Sequence, residues 1–356
     1  MALHLLTLFF KVGYILPITP LLSSRPSILR KIYCILIFVI LTTGAFFTIQ
    51  SRNFYRNTFF MKQFFLYAND LIVLALIFHV IVVYNFWQNQ QWKKFLARLE
   101  ISKKMTDFGQ NRRYLSKIPC WTCFVAGHVV FTLITSYGIV IWFQIEGLLV
   151  LKRITVSTAE YINFFYLLLL CHLVYMLLKQ YRGVNKTLVA YATQRQGFPD
   201  DVARVTGYVI CYLKETTDMF NTLFGWPVFL IIFHTVLLLL IYVFVMVTQD
   251  ESYEALSLHI CITAFTMFMT SLYLVMCDKV SQESQKTVSL TYKLRWSWQQ
   301  VSHSQKQELY EFTNLVVLNS PVFTAAGFFR TGKFTIIEIL ATVSSTLVIL
   351  LQFNNK

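Results

Sequence analysis

Val228-Phe-Leu-Ile-Ile-Phe-His-Thr-Val-Leu-Leu-Leu-Leu-Ile-Tyr-Val-Phe-Val-Met-Val247 decides the fold class. No Asp, Glu, Lys or Arg interrupts the run. About 20 apolar residues is what a helix needs to cross the ~30 Å hydrocarbon core of a bilayer. Working outward, six more windows meet that requirement: Ile32–Ile49, Phe64–Trp87, Cys120–Phe143, Tyr161–Leu178, Leu256–Met276 and Phe334–Phe353. The first six windows of the seven end at polar or charged residues, and the last is followed only by Asn354, Asn355 and Lys356. The sequence therefore predicts an all-α membrane protein of seven transmembrane helices. Composition agrees: of 356 residues 56% are hydrophobic, 13% charged and 17% aromatic, with a mean hydropathy of +0.57. Soluble domains run nearer half apolar and a quarter charged. With only 12 Gly and 7 Pro, disordered, collagen-like and low-complexity classes are excluded.

A net charge of +14 would ordinarily raise nucleic acid as a partner. Here the distribution of Lys and Arg between loops explains it instead. The segment before the first span carries four and the second, fourth and sixth loops carry eight, six and seven, while the first, third and fifth loops and the tail carry three, two, none and one. That is 25 against 6. The positive-inside rule then places the N-terminus inside and, after seven spans, the C-terminus outside. The acidic fifth loop (Asp250, Glu251, Glu254) fits an outer face. This is the reverse of a G-protein-coupled receptor. The opening MALHLLTLFF lacks a basic n-region and a small-residue cleavage site, so no cleavable signal peptide is expected, and Leu5–Phe10 reads as an interfacial or packing segment. The one glycosylation sequon, Asn185-Lys186-Thr187, falls in the fourth loop on the inner side and reads as a chance match.

The inner loops carry helical patterns. In the sixth loop Leu290, Leu294, Trp298, Val301, Leu309, Phe312 and Leu315 recur at steps of three or four, skipping one turn at Gln305. In the fourth, Asp200 is a helix N-cap for a stretch whose Val202, Val205, Val209, Tyr212 and Leu213 share a face. Spans four to six are thus expected to continue as helices into the cytoplasm and pack there with the stretch before span seven. The second loop alternates Trp92, Phe95, Leu96 and Leu99 with Lys93, Lys94 and Arg98, a pattern that fits a membrane-surface helix and a packed cytoplasmic helix equally. Trp226-Pro227 marks a kink or a helix start at span five. Four regions follow: an N-terminal segment (1–31), a six-helix bundle (32–276), a cytoplasmic helix and the approach to the last span (277–333), and a last helix with a short tail (334–356).

Ionisable and amide groups at membrane depth are costly and point to function. They are Asp70 and His79, His172 with Asn163, His259, and Glu338. For each histidine a hydrogen bond to a neighbouring helix is the simpler account. Span seven differs because Thr335, Glu338, Thr342, Ser345 and Gln352 fall at steps of 3, 4, 3 and 7, with Ile349 filling the apolar place in one narrow polar stripe. Copies of that stripe around an axis would line a water-filled path; hydrogen bonding between helices is the alternative. A pore lined by one helix per chain requires several chains in a ring. Cys120-Trp-Thr-Cys123 has CxxC spacing without a second pair, and the seven cysteines read as buried thiols. No metal motif, nucleotide-binding glycine loop or nucleophile elbow is present, so no cofactor and no enzymatic activity are expected.

The C-terminal stretch Ala325-Ala-Gly-Phe-Phe-Arg330, Ile339 to Ala341 and Ser345-Thr346-Leu-Val-Ile-Leu-Leu-Gln352-Phe353 resembles the signature of insect gustatory receptors, relatives of insect odorant receptors, whose last span ends in Thr-Tyr, five hydrophobic residues and Gln-Phe. The five hydrophobics and Gln352-Phe353 match, while Ser345-Thr346 replaces Thr-Tyr. The resemblance implies a ligand-gated, non-selective cation channel in the plasma membrane of a sensory neuron dendrite. It implies a homotetramer, or a heterotetramer with related subunits, whose partners are a small-molecule tastant, membrane lipid and permeant cations, and no nucleic acid. It further implies a pore lined by Glu338, Thr342, Ser345, Ile349, Gln352 and Phe353, with Gln352 and Phe353 at the outer constriction. The sixth-loop helix (Leu294, Trp298, Val301, Leu309, Phe312) would form a cytoplasmic anchor between subunits. Ligand would occupy a pocket in the outer half of spans two to six, for which Tyr84, Tyr137, Trp142, Tyr161 and Phe165 are candidate walls. Two rival readings are an odorant-receptor-type subunit and a secondary transporter coupled through Asp70, His172 or Glu338, although no paired repeats are visible.

Overall fold

The structure is a computed structural model that describes residues 2–19, 28–52, 60–107, 119–146, 150–193, 200–248, 253–297 and 303–354. Among these the chain is helical throughout except for one hairpin. In order come α1 (Ala2–Ile15), α2 (Ile28–Arg52), α3 (Phe60–Phe78), a π-helical turn (His79–Val83), α4 (Tyr84–Phe86), α5 (Asn89–Asp107), α6 (Pro119–Glu146), α7 (Val150–Thr193), α8 (Asp200–Thr248), α9 (Tyr253–Ser297), α10 (His303–Leu318), β1 (Thr324–Ala325), β2 (Phe329–Arg330) and α11 (Lys333–Asn354). Among the described residues six helices are long and apolar enough to cross a membrane: α2, α3 with its continuation, α6, α7, α8 and α9. The seventh window forms α11, whose 22 residues span about 33 Å at ~1.5 Å per residue.

α7, α8 and α9 have 44, 49 and 45 residues. A bilayer core takes about 20, so each continues well beyond its apolar window, at the end of the bundle that bears the lysine- and arginine-rich connections. α7 is the axis of the fold: Leu169, Leu170, Leu173, Val174 and Leu177 are wholly buried, and α2, α5, α6 and α9 pack around it. α10 lies against α8 and α9. The single stripe expected in the sixth loop is divided between two helices: Leu290 and Leu294 are buried on α9, Leu309 and Phe312 on α10, and Trp298 and Val301 lie outside the described residues. The 276/277 boundary falls inside α9, which runs through it unbroken.

α5 settles the second-loop alternative in favour of protein packing. Trp92, Phe95 and Leu99 are at most 1% exposed. Trp92 meets Phe224 at 4.8 Å, Tyr84 at 5.5 Å and Phe10 at 6.0 Å between ring centroids, while Arg98 reaches Glu215 at 2.7 Å. An apolar stripe is the same whether lipid or protein covers it; here α8 does. Trp92→Ala should therefore cost about 3–5 kcal/mol, seen as a lowered unfolding midpoint in detergent, whereas Lys94→Ala on the exposed face should stay within about 0.5 kcal/mol. Equal, small shifts would mean that α5 is not packed as described.

Several smaller expectations resolve in the same way. Leu5–Phe10 falls in α1, where Phe9 is buried against Phe124 at 5.0 Å and Phe165 at 5.4 Å, so packing is the reading that holds. Pro227 lies inside α8, which excludes the helix-start reading of Trp226-Pro227. Asn185 is 3% exposed, donates Nδ2–H to the Glu283 carbonyl at 2.8 Å and accepts from Thr287 at 2.7 Å, so its sequon is inaccessible to a glycan. Cys34, Cys171 and Cys277 are buried thiols, but Cys211 is half-buried and Cys261 exposed, so burial does not hold for all the cysteines; the side chains of Cys120 and Cys123 lie outside those described.

Candidate functional site

Among the described residues two cavities open inside the bundle, in the half away from the helical extensions. The smaller, of about 50 Å³, lies between α6, α7, α8 and α9. The larger, of about 110 Å³, lies between α2, α3, α7, α8 and α9. Glu160, Asn163, His234, Leu238 and Ile262 border both, so they are two lobes on either side of one septum. Helical phase builds the walls. On α7, Ser157, Glu160, Asn163, Phe164 and Leu167 recur at steps of three or four, as Leu258, Ile262, Thr266 and Met269 do on α9. Gly138 of α6 also lines the smaller lobe, and its missing Cβ would sit only 3.3 Å from Leu258 Cδ1.

The smaller lobe is aromatic. Phe131 and Phe164 stack at 5.0 Å with 5° between planes, and Phe265 meets Phe164 at 5.3 Å. The larger is aliphatic, with Leu41, Leu66, Val73, Leu74 and Ile77, and it carries Asn69, Asp70, His259 and Thr263. At the septum His234 Nδ1–H donates to Asn69 Oδ1 at 2.7 Å, joining α8 to α3. One residue on, Thr235 and Thr270 share a buried hydroxyl pair at 2.9 Å.

Of the five aromatic residues expected as ligand walls, the four whose side chains are described border neither of these lobes. Tyr84 is wholly buried beyond them, its hydroxyl bonded to Tyr166 and to the Leu223 carbonyl at 3.1 Å. Phe165 is buried on the α1 side of α7, Tyr161 is half-buried against Phe131 at 5.3 Å, Tyr137 bonds Ser257 at 2.7 Å on the surface, and the Trp142 side chain lies outside those described. The polar expectations fare differently: Asn163, Asp70 and His259 all reach the cavities. His234, Glu160 and Asn69 do not stand out in the sequence, although Glu160 lies one turn before Asn163. Asp70, His172 and Glu338 are not brought together: Asp70 lines the larger lobe, His172 lies by Phe9 at 5.4 Å, and Glu338 is exposed on α11.

α11 is entered through the hairpin. Its turn has Ala326 at φ 50° and Gly327 at φ 80°, with Phe328 N–H donating to the Ala325 carbonyl at 2.9 Å, the form of a type I′ turn. Asn221 of α8 clamps it by donating Nδ2–H to the Val322 carbonyl at 2.7 Å and accepting from Thr324 N–H at 3.1 Å. Phe323 buries against Phe220 at 5.6 Å, and Phe328 packs on Trp226 and Phe229. α11 then packs on α8 and α9 through Thr335, Ile339 and Val343. Thr335 is thus buried, bonded to the Arg330 carbonyl at 3.1 Å. The remaining stripe, Glu338, Thr342, Ser345, Ile349 and Gln352, is exposed along the helix; the Phe353 side chain lies outside those described. The Thr342 and Ser345 hydroxyls bond carbonyls of their own helix at 2.9 Å and tie α11 to no other helix among the described residues. Leu294, Leu309 and Phe312 are buried within the chain itself, which leaves Trp296, Tyr310, Val317 and Leu318 exposed on the same helices.

Comparison with known proteins fits this architecture. Two solved structures of the insect olfactory receptor OR5 from Machilis hrabei cover 99% of this chain and 99% of their own: one at 10% identity with a TM-score of 0.68, and one in complex with eugenol at 12% identity with a TM-score of 0.65. At such identities the likeness establishes the fold. No curated protein matches the sequence significantly. The sequence pattern of the 7tm chemosensory receptors matches residues 3–355, nearly the whole chain. With multiple membrane-crossing helices, two buried lobes in the bundle and an exposed polar stripe on the last helix, the chain belongs to the 7tm chemosensory receptor family.

Proposed function

We propose that the chain is a gustatory receptor subunit that acts as a ligand-gated, non-selective cation channel, with small molecules bound in the two lobes opening a pore lined by α11. The observation that carries the reading is the polar stripe of α11 from Glu338 to Gln352, which packs on nothing among the described residues. Hydroxyls, an amide and a carboxylate along one face are wasted on lipid and useful around a shared aqueous axis. That axis calls for several copies, and a tetramer of identical or related subunits in the plasma membrane follows the family resemblance. The distribution of basic residues supports an inner N-terminus. In the anchor region Trp296, Tyr310, Val317 and Leu318 are the side chains left for a neighbouring subunit. The Gln352-Phe353 ending favours taste over odorant type. OR5, the structural relative, was solved with eugenol, which supports a small organic ligand here. Nothing in the arrangement of Asp70, His172 and Glu338 favours a transporter.

Opening needs only a ligand that binds the open arrangement a few kcal/mol better than the closed one. Whole-cell recording with sugars, bitter compounds and small volatiles should evoke currents, with altered relative cation permeability in Gln352→Ala. Unchanged permeation and block in a conducting Gln352→Ala channel would refute the pore assignment. A tag at Lys356 should be reachable from outside intact cells; reactivity only after permeabilisation would reverse the topology.

A further inference from the structure

Two polar atoms at the septum between the lobes can accept a hydrogen bond from a ligand. Asn163 is 8% exposed, and its Oδ1 has no hydrogen-bond partner among the described residues although the residue borders both lobes. An unsatisfied buried amide oxygen costs about 1–3 kcal/mol, so a group that brings it a donor gains correspondingly. Beside it, His234 is 5% exposed and spends its Nδ1–H on Asn69, 2.7 Å away. An uncharged imidazole in that tautomer has Nε2 as a second acceptor. The septum therefore offers two acceptors on a ring-and-amide pair held from α7 and α8.

The surroundings restrict what can meet them. Phe131, Phe164 and Phe265 give one lobe three ring faces beside the turn of α7 that carries Asn163. Among the described residues lining the lobes there are two carboxylates, Glu160 and Asp70, and no Lys or Arg, so an anionic ligand meets nothing that compensates its charge. Size is limiting too. The lobes measure about 50 and 110 Å³, and an apolar cavity of about 150 Å³ takes one benzene, so a ring fits only where it extends across the septum into both.

We infer that the septum selects small, ring-sized ligands carrying a hydroxyl or N–H donor, with the donor on Asn163 Oδ1 and the ring lying across the septum with one edge against Phe164, and rejects carboxylates. The inference rests on the reading of the two lobes as the ligand site. His234 is the second acceptor, held in register by Asn69.

Equilibrium binding to the purified chain in nanodiscs, with empty nanodiscs subtracted, tests this with four probes of one shape: benzyl alcohol, benzylamine, toluene and benzoate. Benzyl alcohol or benzylamine should bind at least tenfold more tightly than toluene, the amine arm separating ammonium from hydroxyl donors, and benzoate should not bind. Asn163→Leu should bind toluene and lose the preference for the donor-bearing probes. Equal affinity for toluene and benzyl alcohol on the unmodified chain would overturn the inference even if the variant failed to fold. A preference that survives Asn163→Leu, or benzoate binding as tightly as the alcohol, would overturn it too. Binding is read without current: a chain that prefers the donors yet conducts nothing would sink the channel reading and support this one, whereas evoked currents indifferent to the donor would do the opposite.

Discussion

Gly225→Ala should unseat the hairpin that leads into the last helix and abolish ligand-evoked current. Two effects compete at this position. Alanine is favoured over glycine inside a helix by about 1 kcal/mol, and Gly225 lies within α8. Against that, a Cβ at Gly225 would stand 2.9 Å from Ala326 N and 3.0 Å from its Cα, which are backbone atoms and cannot swing aside. Ala326 already sits at φ 50°, a left-handed conformation that a non-glycine residue holds only at a cost. Asn221 holds Val322 and Thr324 on the way into the turn, so the hairpin yields only by giving up those hydrogen bonds. The clash wins, with a net loss of about 1–3 kcal/mol. Gly207 is the matched control, since the nearest atoms to its Cβ are side-chain carbons of Leu315 and Phe312 at 3.7 Å. Gly207→Ala should raise the unfolding midpoint, by about 0.4–1 kcal/mol, while Gly225→Ala lowers it. Shifts of the same sign would show that the close approach of hairpin and helix is not as described. Because α11 starts three residues after β2, the current lost in Gly225→Ala should exceed the loss in surface expression.

What is legible in the sequence is what depends on length and period alone. Val228–Val247 can only be a buried or spanning helix, and α8 does continue back to Asp200 as the spacing of Val202, Val205 and Val209 suggests, although Val209 is buried and Val205 exposed. What depends on a neighbour is not legible. The stripe of Trp92, Phe95 and Leu99 is indifferent to whether lipid or α8 covers it. The pattern from Leu290 to Phe312 keeps phase across the change from α9 to α10, so periodicity hides the division. Two-residue strands are too short to alternate, and only Gly327 in the turn gives a local signal. At the cavities the difference is one of rotation: Tyr161 and Phe165 are the walls the resemblance suggests, and Glu160, Asn163 and Phe164 line the cavity. A step of one residue turns a helix by about 100°, and only packing against α6, α8 and α9 sets that angle. His234 is hidden by the apolar run around it.

A cysteine introduced on the α11 stripe should be attacked by a charged, membrane-impermeant methanethiosulfonate applied during ligand exposure, and the current should fall at least tenfold. The argument is geometric. At about 100° per residue, Glu338, Thr342, Ser345, Ile349 and Gln352 fall within one narrow sector. The packed residues Thr335, Ile339 and Val343 lie about a quarter-turn away on one flank, Ile337 and Ser344 lie on the other flank, and Leu340 lies on the far side. All of the stripe is exposed in the single chain, and so are Ile337, Leu340 and Ser344, so exposure alone does not distinguish water from lipid. Charge does: an ionised residue at membrane depth costs about 2.5–3.5 kcal/mol even on insertion scales, and the stripe carries Glu338 where the far side carries Leu340. Thiols react as thiolates, which form in water and are suppressed in hydrocarbon. Ser345→Cys and Ile349→Cys should therefore react, and Leu340→Cys and Ser344→Cys should not, each compared with the unmodified chain, whose own thiols, Cys261 exposed among them, set the baseline. The adjacent serines make a matched pair, since the substitution is the same and only the angle differs. Ile349 is the sharpest position because its side chain is apolar, so reaction there follows from helix phase and not from local polarity. With one such helix per subunit, every modified copy adds a fixed positive charge to the same axis, where it repels permeant cations at short range in a medium that screens poorly. Equal reaction at Leu340→Cys and Ser345→Cys would mean that water reaches all of α11, and reaction at neither would place the helix in lipid; in both cases the pore lies elsewhere.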